Sequence, residues 1–316
     1  MPLACLAISL AHAEVGVKEY PVPSGHGIHD VWADPAPDGP VYFSAQGSGH
    51  LGILDPKSGK VEFVALGRGS SPHGVTMGPD GGVYLTDGGQ NAIVRVDPRI
   101  SSSGRAVKVW KLPEDPGYTN LNTAAFDAKG IHWFTGQSGI YGRLDPRSGK
   151  VETFVSPRGR GPYGIQSTPD GTVYYASLAG SFIGRINADG STTVLEPPTR
   201  RQGARRVWSD SKGSVWVAEW NSGNVSRYEP ATQRWSTWRA PGDEPHVYAV
   251  YVDPDDKVWL SEWSAQAMLR FDPQTQKFET FRSSSRAANV RQIHGRKGEV
   301  WTPESAADRI TVYRYK

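Results

Sequence analysis

Along most of the chain, apolar and polar residues alternate with a period of two, in short runs broken by turn residues. One run recurs: GPVYFSA around Tyr42, GGVYLTD around Tyr84, GIHWFTG around Trp133, GTVYYAS around Tyr174, GSVWVAE around Trp216, DKVWLSE around Trp259 and GEVWTPE around Trp301. Successive aromatics are 42, 49, 41, 42, 43 and 42 residues apart. Such alternation is the signature of a β-strand. Turn sequences such as GPDGG, TPDGT and DPDDK stand just before this strand and predict a hairpin with the run upstream. Downstream come a further run (LGILDP, IVRVDP, YGRLDP, IGRINA, VSRYEP, MLRFDP) and then another, as in KVEFVAL, KVETFVS and QKFETFR.

Four strands per unit of roughly forty residues, seven times over, predict an all-β, seven-bladed β-propeller with four antiparallel strands per blade. The seventh unit ends at RITVYRYK, with no room for its fourth strand, while VGVKEYPVP near the N-terminus alternates like one. Residues 15–21 are therefore expected to complete blade seven from outside, which removes the free edges of the ring. The longest interval contains RISSSGRAV, read as an extended surface loop.

Composition agrees with one large domain over residues 14–316: 37% of residues are hydrophobic, and 36 Gly and 24 Pro suit a turn-rich β protein. A net charge of +3 is too small to suggest nucleic-acid binding. No apolar run is long enough to span a bilayer. Residues 1–13, MPLACLAISLAHA, have the apolar stretch and small-residue end of a secretory signal peptide, truncated in its basic part. Export to the periplasm or medium is expected. The single cysteine, Cys5, lies in that leader, so the mature chain would lack both a disulfide and a thiol nucleophile.

The repeat PHGVTMGPDGGVYLTD…IVRVDP, with PYGIQSTPDGTVYYAS…IGRI and VWVAEWNSGNVSRY, resembles the streptogramin B lyase (virginiamycin B lyase) family over essentially the whole mature chain. In that family PxGI, DG.VWFTE, IGRI and EYPLP recur in seven blades. The resemblance implies a lyase that opens a cyclic depsipeptide by elimination across its ester. It also implies Mg²⁺, a histidine at the start of the last blades' inner strands, and nearby glutamates. Glu304 in VWTPE matches the last-blade glutamate. Val290 stands where the last-blade histidine belongs, and Ala288 where the acid two residues before it belongs. Tyr248 takes the place of the penultimate-blade histidine, with His246 two residues upstream. His294 falls toward the hairpin turn, at the other end of the strand.

The inner strand of each blade lines the central channel, so residues at its start should ring one mouth. With the turn centred on PDG, the simplest register places His73 opposite Asp87. The same offset pairs His29 with Ala45, Asn122 with Gly136, Tyr163 with Ser177, Arg205 with Glu219, Tyr248 with Glu262 and Val290 with Glu304. A polar, mixed ring in a concavity is a ligand site in expectation; a cap on each hairpin is the plainer reading of any one pair.

An elimination needs a base for the α-proton, a cation for the developing charge and an acid for the leaving oxygen. His246 and Tyr248 are the expected base and acid, Glu304 joins them as a catalytic group, and His73 beside Asp87 is a second possible base. Glu262, Glu304 and Asp87 supply oxygens suited to a hard cation such as the implied Mg²⁺. His29, Asn122, Tyr163, Arg205 and Arg291 are expected to bind the substrate. Arg200, Arg201, Arg205 and Arg206 in TRRQGARRVW, with Arg286 and Arg291, favour an anionic ligand such as a uronate or acidic peptide, unless they form a solvated basic loop. The aromatic of each blade is read as core packing and not as a sugar platform.

The expected molecule is therefore an exported monomeric carbon–oxygen lyase acting on a cyclic ester or acidic saccharide. The streptogramin itself is disfavoured by Val290. A non-catalytic periplasmic propeller that binds a ligand or partner protein is the alternative. A metal-dependent lactonase of the gluconolactonase type ranks last, because six blades are expected there.

Overall fold

The computed structural model describes residues 15–100, 106–115 and 117–316. The expected leader, residues 1–13 with Cys5, lies outside these residues, as does most of the RISSSGRAV loop. The described residues form 28 strands in seven four-stranded antiparallel sheets, with no α-helix among them. Among the described residues no helix is long and apolar enough to cross a membrane.

In six sheets the strand order follows the chain, from the innermost strand outward. The seventh sheet runs Gly16–Pro21, Arg309–Arg314, Glu299–Glu304 and His294–Arg296. The N-terminal strand pairs from Gly16↔Arg314 to Pro21↔Arg309, closing the ring as expected. Glu19 adds an ion pair to Arg309 at 2.9 Å.

In blades one to six the second strand is buried along its whole length, because both faces pack against neighbouring blades. Its aromatic is the centre of the packing: Tyr84, Trp216, Trp259 and Trp301 are at most 1% exposed. The turn aspartate six residues earlier accepts the indole N–H in three blades, Asp127 from Trp133, Asp210 from Trp216 and Asp253 from Trp259, at 2.8–3.0 Å. An arginine of the third strand covers the ring, as Arg143 does Trp133 and Arg270 does Trp259. The DG…VW repeat is thus a self-contained packing unit.

The innermost hairpin departs from the simplest register. Next to the turn the pairing is as expected, with Val75 opposite Leu85. A β-bulge between Pro72 and Val75 then shifts it, and Asp87 faces Pro72, not His73. Bulges at the same place in blades one, three, four, five and six set Ala45 opposite Ile28, Gly136 opposite Leu121, Ser177 opposite Pro162, Glu219 opposite Ala204 and Glu262 opposite Val247. Only Val290 and Glu304 pair as the simple register predicts.

Second-strand hydroxyls account for the shift in several blades. Ser44 accepts the N–H of Asp30 and donates to the carbonyl of His73 in the next blade. Thr86 does the same for Gly74 and Asn122, and Thr135 for Thr123 and Tyr163. Each bulge is thereby satisfied by its own blade and tied to the next one.

Candidate functional site at the channel mouth

In blades one to six the bulge turns one side chain toward the ring axis, where residues of non-adjacent blades meet. Tyr163 of blade four and Tyr248 of blade six share a hydrogen bond between their hydroxyls at 2.6 Å. Arg206 of blade five reaches Asp30 of blade one at 3.0 Å and Thr123 of blade three. The His73 ring lies 3.9 Å from that of His29 between centroids, and its Nε2 is 3.1 Å from the Asn122 amide nitrogen. Arg205 donates to the Tyr163 hydroxyl at 3.1 Å and lies 3.5 Å above the Tyr248 ring. His29, His73, Asn122, Tyr163, Arg205 and Tyr248 are thus brought together, as expected. Arg291 borders them, lying over Trp263 at 5.2 Å and bonding Ser305.

Deeper in the channel, Trp32, Trp208, Tyr251 and His294 pack ring against ring, with 3.7 Å between the Trp32 and His294 centroids. His294 is a core residue here: its Nδ1 accepts the N–H of Ala33, and burial holds it at about 3. At the mouth, Trp220, Trp263, His246, Arg205 and Arg291 are half-buried.

The acids of the expected metal site face elsewhere. Asp87 accepts from Ser70, the N–H groups of Ser71 and Gln90, and the Gln90 amide. Glu262 accepts the N–H groups of His246, Ser264 and Ala265. Glu304 takes Arg309, Thr311 and Ser283. Every one of these carboxylate oxygens is occupied by its own hairpin or the adjoining loop. A Mg²⁺ site needs oxygens free to complete an octahedron, so these residues do not fit the ion. For Asp87 and Glu262 the bulge in the innermost strand removes the expected partner from opposite the acid, which then caps its own loop; Glu304 keeps the simple register with Val290 and is drawn off by Arg309, Thr311 and Ser283. Because of the bulge, His73 is not oriented by Asp87; its neighbours are His29, Asp30 and Asn122. His246 stays in the lead-in loop, 4.8 Å from Trp220 between ring centroids and bonded to Ser264.

The electrostatics follow from burial among arginines. Burial, with the charge of His29, holds His73 well below the ordinary imidazole range, and burial lowers His29 too. Burial would raise Asp30, but Arg206 and His29 outweigh it and keep the carboxylate ionised. Burial and then the neighbouring Tyr248 raise Tyr163. For Tyr248, burial also pushes upward, yet Arg205, Arg206, the Tyr163 bond and Arg291 together bring it below the ordinary phenol value.

Asp30 and Thr123 are part of this cluster and were not among the expected residues; Arg206 was expected only within a basic loop. Each follows the residue turned into the channel. In blades two and four that next position is glycine: a Cβ on Gly74 would fall 2.7 Å from the Asn122 carbonyl oxygen, and one on Gly164 would fall 2.6 Å from the Arg206 Cα. Charged residues at a position otherwise kept small were the available signal.

A cleft of about 860 Å³ is on the opposite face, lined by hairpin turns such as Asp210–Ser214 and Asp255–Lys257. Its polar groups pair within a blade or between adjacent blades, Lys257 with Asp272 and Ser211 with Asp256, whereas those of the mouth join non-adjacent blades.

Comparison with known proteins matches this architecture. A virginiamycin B lyase from Nocardia farcinica is 27% identical over 179 residues, which span 55% of this chain and 60% of that protein. A streptogramin B lyase structure superposes with a TM-score of 0.85 at 19% identity, covering 96% of this chain and 98% of the other. A catalytically inactive virginiamycin B lyase variant from Staphylococcus aureus, solved with quinupristin, gives 0.85 at 19% identity over 96% of this chain and all of the other. These structures share the fold. The model of the virginiamycin B lyase family matches residues 6–247. With the repeat, the seven blades and that match in agreement, the chain belongs to the virginiamycin B lyase family.

Proposed function

We propose that this propeller is a carbon–oxygen lyase acting at the channel mouth on a cyclic ester or an acidic saccharide. The observation that carries the reading is the phenol pair Tyr163–Tyr248, set among Arg205, Arg206 and Arg291. Arg205 donates to the Tyr163 oxygen, and once Tyr248 is ionised the Tyr163 hydroxyl donates to it. The chain of donors therefore ends on the Tyr248 oxygen, the group best placed to exist as a phenolate and act as base. It takes the α-proton, the C–H electron pair forms the new double bond, and the C–O bond breaks. The leaving oxygen recovers a proton from the site, with His246 at the rim as the nearest expected acid. Arg205 covers the buried Tyr248 ring, so the substrate gains access as Arg205 turns from the ring to the substrate.

Streptogramin falls outside this reading, because Val290 packs with Tyr248 and Ala288 in an apolar cluster where the family histidine would be required. Export to the periplasm or medium is part of the proposal and rests on the leader-like start. The test is a screen of lactones and uronate oligosaccharides for an ultraviolet-absorbing unsaturated product. Product that vanishes in Tyr248→Phe supports the lyase. The non-catalytic binder is favoured by the complete burial of Tyr248, and a ligand bound without turnover across the screen would establish it.

A further inference from the structure

The mouth has unmet hydrogen-bonding capacity of one kind. Arg206 Nη1 donates to Thr123 Oγ1, so that hydroxyl turns its own proton to Asn122 Oδ1, 2.7 Å away. The Asn122 amide nitrogen then faces His73 Nε2 and must donate to it. His73 is held neutral, so its proton sits on Nδ1. That nitrogen is buried without a partner, as are Nε of Arg205 and Nε of Arg206. His73 and Arg206 are 6% and 4% exposed. All three orphans belong to donors, and all three side chains surround the Tyr163 ring. A buried donor left unmet costs about 1–3 kcal/mol. Three guanidinium groups, those of Arg205, Arg206 and Arg291, stand against the single Asp30 carboxylate. The missing component is an acceptor with negative charge.

We infer that Arg205, Arg206 and the Nδ1–H of His73 form an oxyanion site that takes a carboxylate of the ligand. The inference deepens the lyase reading: these guanidinium groups supply the positive charge that a divalent cation would supply to an elimination. The anion site itself does not depend on turnover. A cation at the same place is disfavoured. Ligand atoms of His29, Asp30 and His73 lie within 4.8 Å of one another, but Asp30 is already shared by Arg206 and His29, and a metal would sit beside Arg206.

The test is titration of the full chain with sodium glucuronate and with sulfate, against glucose as the neutral control, by calorimetry and tryptophan fluorescence. Both anions should bind saturably, and glucose should not. Binding should weaken with added salt, and about tenfold in Arg205→Gln. Asp30→Asn should tighten it severalfold, because Arg206 loses its competing partner; a purely structural role for Asp30 would not give that sign. Unchanged thermal midpoints show that Arg205→Gln remains folded. The inference is overturned if neither anion binds the wild type, or if zinc binds there while anions do not. Sulfate binding in this pattern without glucuronate binding keeps the oxyanion site and removes the acidic-saccharide reading.

Discussion

Arg206 of blade five and Asp30 of blade one form an ion pair across the channel, 3.0 Å long, with side chains 4% and 1% exposed. It joins positions 176 residues apart. Removing one partner of a buried pair leaves an uncompensated charge and typically costs about 3–5 kcal/mol. Asp30→Asn is expected to lower stability by that order in urea unfolding. Asp30→Asn with Arg206→Gln should recover part of the loss. A single variant as stable as the wild type would contradict the pairing.

Acid should destabilise the protein early. His29, His73, His132 and His294 are buried, and burial lowers all four, His132 and His294 to about 3. In the unfolded chain they bind protons near pH 6.5, while the folded chain resists protonation, so stability falls as pH drops below about 6.5. Each contributes up to about 1.4 kcal/mol per pH unit. Asp30 has a depressed folded value, so its contribution persists until much lower pH. Urea midpoints between pH 7 and 5 should decline steeply. His132, whose two ring nitrogens are both unpartnered, offers a check: His132→Leu should flatten the decline.

Glu262 should act as a cap and not as a metal ligand. Its carboxylate holds three backbone N–H groups at 2.6–2.9 Å. Glu262→Ala is expected to lose about 1–3 kcal/mol through these unmet donors, with no change in Mg²⁺ affinity by calorimetry. Intact stability combined with lost Mg²⁺ binding would reverse the assignment.

Tyr248 should ionise before its partner Tyr163. Arginines and the Tyr163 bond lower it, whereas burial raises Tyr163. An ultraviolet alkaline titration should show an early phase that is absent in Tyr248→Phe. Arg205→Gln should move that phase to higher pH, because it removes the nearest positive charge. A titration identical in all three proteins would exclude the phenolate.

The aromatic repeat, the hairpin turns and the closing N-terminal strand were all legible along the chain, because each depends on local alternation and spacing. So was part of the set at the mouth, since Tyr163, Arg205 and Tyr248 recur at one place in the repeat. The sides of the strand they share with their acids were not legible. A simple hairpin makes His73 and Asp87 neighbours; in the fold, Thr86 bonds Gly74 in its own blade and Asn122 in the next. That bridge exists only once two blades are packed, and it stabilises the bulge that separates histidine from aspartate. Sequence alone therefore determined the seven-bladed scaffold and part of the set at its mouth, His29, His73, Asn122, Tyr163, Arg205 and Tyr248, while Asp30, Thr123 and Arg206 joined them only in the fold. Tertiary packing decided which of them face one another, because a one-residue bulge removes the expected partner from opposite the acid.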